Sequence, residues 1–120
     1  MLLAVYGTLK KGHYNHEVHL NRPPIYANII NLNATMYSNG RYPMLIRSDQ
    51  NNDIFIEIYE LTQEELLKID ELETPFGYSR SLIEPPNFDP FWIYYYDDNK
   101  PPQEFHHVIS GNFEKEIEWQ

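Results

Sequence analysis

Two stretches of the chain alternate apolar and polar positions at period two, and one follows helical spacing. Ile54, Ile56 and Ile58 fall on one face of residues 54–59 and Phe55, Glu57 and Tyr59 on the other, which predicts a half-buried strand. Residues 78–83 read the same way, with Tyr78, Arg80 and Leu82 opposite Ser79, Ser81 and Ile83. The apolar run 1–5, extended by Tyr6, predicts a short buried strand that ends at Gly7. Residues 25–37, rich in Ile, Leu, Asn and Tyr, hold one or two strands, and Asn39-Gly40 is a hairpin-turn signal. Residues 42–46 form an irregular or edge strand, because Pro43 has no N–H to donate. A polar turn is expected at 49–53, an aromatic strand at 91–96, a turn at 97–102, a short strand at Val108-Ile109 and a polar tail from Gly111.

The helical segment is 61–73. Thr62 is an N-cap and Glu65 stands three residues on, the spacing of a capping box, with Leu61 and Leu66 placed for a hydrophobic staple. Leu66, Ile69, Leu72 and Glu73 share one face. Pro75 disfavours helical geometry at Thr74, so the helix ends near Leu72 or Glu73. Residues 11–21 read as polar loop with one short helix, broken by Arg22-Pro23-Pro24. Many short strands with one or two helices predict a small mixed α+β domain, its sheet closed or nearly closed to manage exposed edges.

Composition narrows the function classes. A chain of 120 residues, 42% hydrophobic and 15% aromatic, predicts one packed domain over 1–120. A net charge of −9 argues against a nucleic-acid backbone or an anionic membrane surface as partner. Cysteine is absent, which removes disulfides, thiolate catalysis and cysteine-ligated zinc. No apolar stretch approaches the roughly 18 residues needed to span a bilayer. The N-terminal run lacks a basic n-region and a cleavage site, so a cytoplasmic location is expected.

Two features carry candidate chemistry. Gly7, at the end of the first strand, lets the backbone turn sharply or approach a ligand closely, and successive N–H groups in such a turn can hold an anion or an oxyanion. Glu73 sits at a helix C-terminus, where the macrodipole disfavours a charged carboxylate, and Phe76 and Tyr78 are near enough to desolvate it. An upward pKa shift is what a general acid/base needs. His16 and His19, with Glu17, have the spacing of a metal pair on a helix, but solvent-exposed histidines are the expectation. The aromatic run 91–96 reads as core packing in preference to a stacking platform. No nucleophile elbow, P-loop, dinucleotide fingerprint or metalloprotease motif is present. An enzyme built this way would take its reactive groups from the substrate.

Tyr6-Gly7-Thr8-Leu9-Lys10-Lys11-Gly12 followed by Asn15-His16, then Tyr42-Pro43, Ile69-Asp70-Glu71-Leu72-Glu73, Tyr78-x-Arg80 and Ser110-Gly111-Asn112-Phe113 together resemble the γ-glutamyl cyclotransferase-like family, which includes the AIG2-like proteins. The likeness runs from Met1 to about Phe113 and is especially similar to the γ-glutamylamine branch. Asn112 and Phe113 depart from the Ser-Gly-Asp-Trp close of bacterial members, a departure expected to touch the rim of a site more than its centre.

The resemblance implies a small β-barrel with flanking helices and a cavity between the turn and Glu73. It implies release of 5-oxoproline from a small-molecule γ-glutamyl substrate, with no cofactor and no metal, by a monomer or homodimer. The substrate's α-amine attacks its own δ-carbonyl, and such intramolecular attack needs no protein nucleophile when the conformer is held. Glu73 is the implied catalytic acid/base. The implied substrate-binding residues are Tyr6, Gly7, Thr8, Leu9, Tyr42, Tyr78 and Arg80. The turn's N–H groups serve either the α-carboxylate or the oxyanion, and Arg80 either touches substrate or forms a structural ion pair. Two alternatives stand beside this reading: a non-catalytic binding module for a small acidic metabolite, and removal of a γ-glutamyl protecting group from a carrier-bound intermediate.

Overall fold

The computed structural model describes residues 1–10 and 16–113, the side chain of Val18 excepted. Lys11, Gly12 and Asn15 of the extended turn motif, His13, and residues 114–120 lie outside the described residues. In chain order the elements are β1 (Leu2–Val5), α1 (His16–His19), β2 (Tyr26–Ser38), β3 (Pro43–Glu60), α2 (Gln63–Glu73), β4 (Tyr78–Ile83), β5 (Phe91–Tyr96) and β6 (His106–His107). The strands form one curled, mixed six-stranded sheet in the order β4-β5-β1-β3-β2-β6. β1 lies between β3, antiparallel to it, and β5, parallel to it. The fold is α+β, as expected, with α2 as its one substantial helix.

Period two puts each strand's residues on two faces, and both faces are covered. One core contains Ala4, Tyr6, Ile54, Ile56, Ile58 and Phe113. The other contains Leu3, Val5, Leu9, Tyr59, Leu66 and Ile69, and sits under α2. The aromatic strand splits the same way, with Phe91, Ile93 and Tyr95 in the first core and Tyr94 in the second, so packing accounts for it. α2 starts as its sequence predicts: Thr62 Oγ1 accepts from Glu65 N–H at 3.1 Å, and Glu65 Oε1 accepts from Thr62 N–H at 3.0 Å. The same Glu65 carboxylate pairs with Arg22, which holds it down at about 2. Past Glu73 a 3₁₀ turn, Thr74–Phe76, ends at Gly77, whose φ of 89° suits a residue without a Cβ.

Three local expectations change. The polar segment 49–53 is no turn: β3 runs through it as a wide irregularity, pairing passing from Leu32↔Asn52 to Ala34↔Arg47. The neighbouring strand supplies partners there, as in Asn52 Nδ2 donating to Ala34 O at 2.8 Å. The last strand is His106–His107, two residues earlier than predicted, because these residues pair with Ser38 and Tyr37. Ile109 is 88% exposed. Residues 111–113, where a polar tail was expected to begin, pack into the fold: Phe113 is fully buried. Gly111 (φ 69°) lies so close to β3 that a Cβ there would meet Asp53 O at 1.8 Å, and its carbonyl accepts from Phe55 N–H at 2.9 Å.

Candidate active site

β1 delivers Tyr6 and then a tight turn. Lys10 N–H donates to Gly7 O at 3.0 Å and closes the four residues Gly7-Thr8-Leu9-Lys10. A Cβ on Gly7 would lie 2.7 Å from Cδ and 2.8 Å from Cγ of Pro43. Glycine is therefore needed for close approach to Pro43, at the start of β3, and its φ is not in the left-handed region. The Lys10 ammonium turns inward, donating to Phe113 O at 2.7 Å and Asn112 Oδ1 at 3.1 Å, with Phe55 beneath it. Asn112 and Phe113 thus anchor the far end of the turn, a role beyond the rim position expected for them.

The turn and the end of α2 share one cavity of about 330 Å³, a size at the small end of ligand pockets. Tyr6, Gly7, Thr8, Leu9, Tyr42, Glu73 and Tyr78 all line it. Arg80 does not. Its Nε donates to both oxygens of Asp70, at 2.8 and 3.1 Å, and its guanidinium lies 4.3 Å over the Trp92 ring. The structure places Arg80 in the ion pair that ties α2 to the sheet. Among the described residues no Lys or Arg lines the cavity.

Glu73 is half-buried, and burial raises its carboxyl to about 7. The cause is desolvation. Among the described residues its carboxyl has no hydrogen-bond or ion-pair partner, which leaves it available to a ligand. The neighbouring tyrosines are held as neutral phenols. Burial raises Tyr6 and Tyr78, and the nearby Glu73 carboxylate raises both further. Tyr6 O–H donates to Tyr94 O at 2.6 Å, and Tyr78 O–H donates to Pro43 O at 3.1 Å. Their hydrogens are committed to backbone carbonyls, so the phenol oxygens have only acceptor capacity left. The cavity thus brings together the Gly7–Leu9 turn, two neutral phenols and a carboxyl raised to about 7.

Leu72, Phe76 and Tyr94 also line the cavity. Phe76 was visible in the sequence as a desolvating neighbour of Glu73. Tyr94 belongs to the aromatic run expected as core, and its place opposite Ile93 and Tyr95 in the alternation puts it on the α2 side of β5. His16 also departs from expectation. It is 7% exposed, its Nδ1 lies 3.2 Å from Leu9 O, and its ring is tilted against Tyr59. Among the described residues no group of three His, Asp or Glu side chains is placed to hold a metal ion. No helix there is long and apolar enough to cross a membrane.

Known proteins give this geometry its relatives. A Vibrio cholerae protein named "Putative gamma-glutamylcyclotransferase" is 33% identical over 106 residues, covering 81% of this chain and 83% of its own. An uncharacterized protein of Pyrococcus horikoshii superposes with a TM-score of 0.78 at 24% identity, covering 99% of this chain and 93% of the other. An AIG2-like protein of Mus musculus gives a TM-score of 0.67 at 21% identity, covering 94% and 87%. These two superpositions speak for the fold alone. The sequence matches the family described as "Gamma-glutamyl cyclotransferase, AIG2-like" over residues 3–115. With a match of that extent, the chain belongs to the γ-glutamyl cyclotransferase, AIG2-like family.

Proposed function

We propose that the protein is a γ-glutamyl cyclotransferase that releases 5-oxoproline and a free amine or amino acid from a small γ-glutamyl compound. One observation carries this reading: Glu73, an unpartnered carboxyl raised to about 7, shares a cavity with the Gly7–Leu9 backbone. Family membership supports the reaction class.

The reaction needs little from the protein. The substrate's α-ammonium gives up a proton to the Glu73 carboxylate. The freed amine attacks the δ-carbonyl carbon, so one N–C bond forms and the carbonyl oxygen becomes an oxyanion. The bond to the leaving nitrogen then breaks as Glu73 returns its proton there, and the second proton, carried by the ring nitrogen after attack, passes by way of Glu73 to the same amine, which leaves as an ammonium. A carboxyl near 7 is matched to both transfers at neutral pH. Backbone N–H groups of Gly7, Thr8 and Leu9 hold the α-carboxylate or the oxyanion. The acceptor oxygens of Tyr6 and Tyr78 suit the α-ammonium. Holding the folded conformer supplies the rest, since intramolecular attack has a high effective molarity. No cofactor enters these steps.

The test is a mass-spectrometric screen of γ-glutamyl dipeptides and γ-glutamyl amines for 5-oxoproline release. Release from at least one class, lost in Glu73→Gln, is expected. A protein that turns over none of them, or gives glutamate as its main product, overturns the reading.

A further inference from the structure

The turn that lines the cavity is held from behind by a buried polar chain. Lys10 N–H donates to Gly7 O at 3.0 Å, and the carbonyl of the same peptide unit, Leu9 O, lies 3.2 Å from His16 Nδ1. A carbonyl oxygen only accepts, so Nδ1 carries the hydrogen. Tyr59 Oη lies 3.4 Å from that same nitrogen, and therefore also accepts from it. The Tyr59 hydroxyl hydrogen goes to Glu57 Oε1, at 2.7 Å. The chain has one direction throughout: His16 N–H toward Leu9 O and Tyr59 Oη, Tyr59 O–H toward Glu57. His16, Tyr59 and Glu57 are 7%, 0% and 8% exposed.

We propose that His16 is a positioning residue: with its Nδ1–H held toward Leu9 O beside Tyr59 and Glu57, it holds the Leu9–Lys10 peptide and with it the shape of the turn that lines the cavity. A turn closed by one hydrogen bond can flip its peptide planes. Here the Leu9–Lys10 unit is bonded at both ends, its N–H by Gly7 and its C=O by His16, so rotation of that plane breaks two bonds at once. Rigid donors are the ones that help a transition state, because they need no reorganisation when charge develops. His16 itself does not line the cavity, so it acts through the turn.

The inference rests on the proposed reaction only for its kinetic readout; amide exchange tests it separately. His16→Phe keeps an aromatic ring against Tyr59 and removes the donor. His16→Asn places an amide N–H where Nδ1–H stands. In His16→Phe, amide exchange of Lys10 should quicken by about tenfold or more while β3 and α2 keep their protection. Release of 5-oxoproline should fall by about tenfold in kcat/KM, and His16→Asn should recover most of both. Should the phenylalanine variant fail to fold, Tyr59→Phe deletes only the hydroxyl and should show the same local quickening to a smaller degree. Unchanged Lys10 exchange in a folded His16→Phe protein, exchange that rises equally across β3 and α2, or no recovery in His16→Asn would each overturn the proposal. If the wild-type protein releases no 5-oxoproline, the reaction class fails and the exchange experiment still decides His16.

Discussion

The hydroxyl of Tyr94 donates to Asp70 Oδ1 at 2.6 Å, one helical turn before Glu73. Arg80 donates to the same carboxylate and stacks on Trp92. Side chains from β4 and β5 therefore grip α2 at Asp70 and set where its last turn ends. The carboxylate proposed to meet substrate and the one that holds the helix are three residues apart, and their environments differ: Asp70 is paired, Glu73 is not.

Arg80→Met separates positioning from substrate contact. It removes the ion pair and the stacked guanidinium, which should lower stability by about 1–2 kcal/mol for a partly buried charged pair. KM for a γ-glutamyl substrate should change less than about threefold, since Arg80 is outside the cavity. A well-folded variant whose KM rises tenfold or more would put Arg80 on the substrate.

The Glu73 carboxyl sets a pH limb. Its base form is the one that accepts the α-ammonium proton, so kcat/KM should climb with pH and level off through an apparent pKa near 7. Glu73→Gln should cost about 10² to 10⁴ in rate and erase that limb. Wild-type turnover in a folded Glu73→Gln protein would sink the assignment.

The same group makes folding pH-dependent. Its folded pKa of about 7 lies above the ordinary carboxyl value of 4.5, so the native state binds more protons than the unfolded chain between those values. Stability then falls as pH rises through that window. Glu73→Gln should be no more stable than the parent near pH 4 and visibly more stable at pH 8, as read from paired melting curves. A difference independent of pH would mean that Glu73 is not desolvated in the folded state.

Gly7 tests the close approach to Pro43. A side chain there must displace the proline ring or the turn, given the 2.7 Å to Cδ. Gly7→Val should lose more than about tenfold in activity, equivalent to about 1.4 kcal/mol at the transition state. Gly7→Ala should lose less, with the methyl alone to accommodate. Near-normal turnover in a folded Gly7→Val protein would remove the turn from the site.

The substrate's own amine is the last check. With intramolecular attack, an N-acetylated γ-glutamyl compound has no nucleophile and should be inert, although it still carries the scissile bond. Cleavage of that compound at a rate comparable with its free-amine parent would point to water as the nucleophile.

What the sequence alone determined is local. Thr62 and Glu65 cap α2, and Leu61 and Leu66 flank its start, because a cap and a staple are completed within six residues. The alternation of 54–59 and 78–83 assigns those strands' faces for the same reason: period two needs no partner to be legible. The turn at Gly7 and the position of Glu73 at a helix end were readable too, one from a missing Cβ and the other from Pro75. Tertiary structure alone decided what these pieces meet. β1 pairs with β3 and β5, and that insertion sets Tyr6 against Tyr94, 88 residues away, and Lys10 against Phe113, 103 residues away. The strand through 49–53, the burial of Phe113 and the burial of His16 depend on backbone partners and apolar neighbours that no short window contains. The raised carboxyl of Glu73 draws on both: Phe76 and Tyr78, close in the chain, made an upward shift readable, and its extent is set by everything packed around the group.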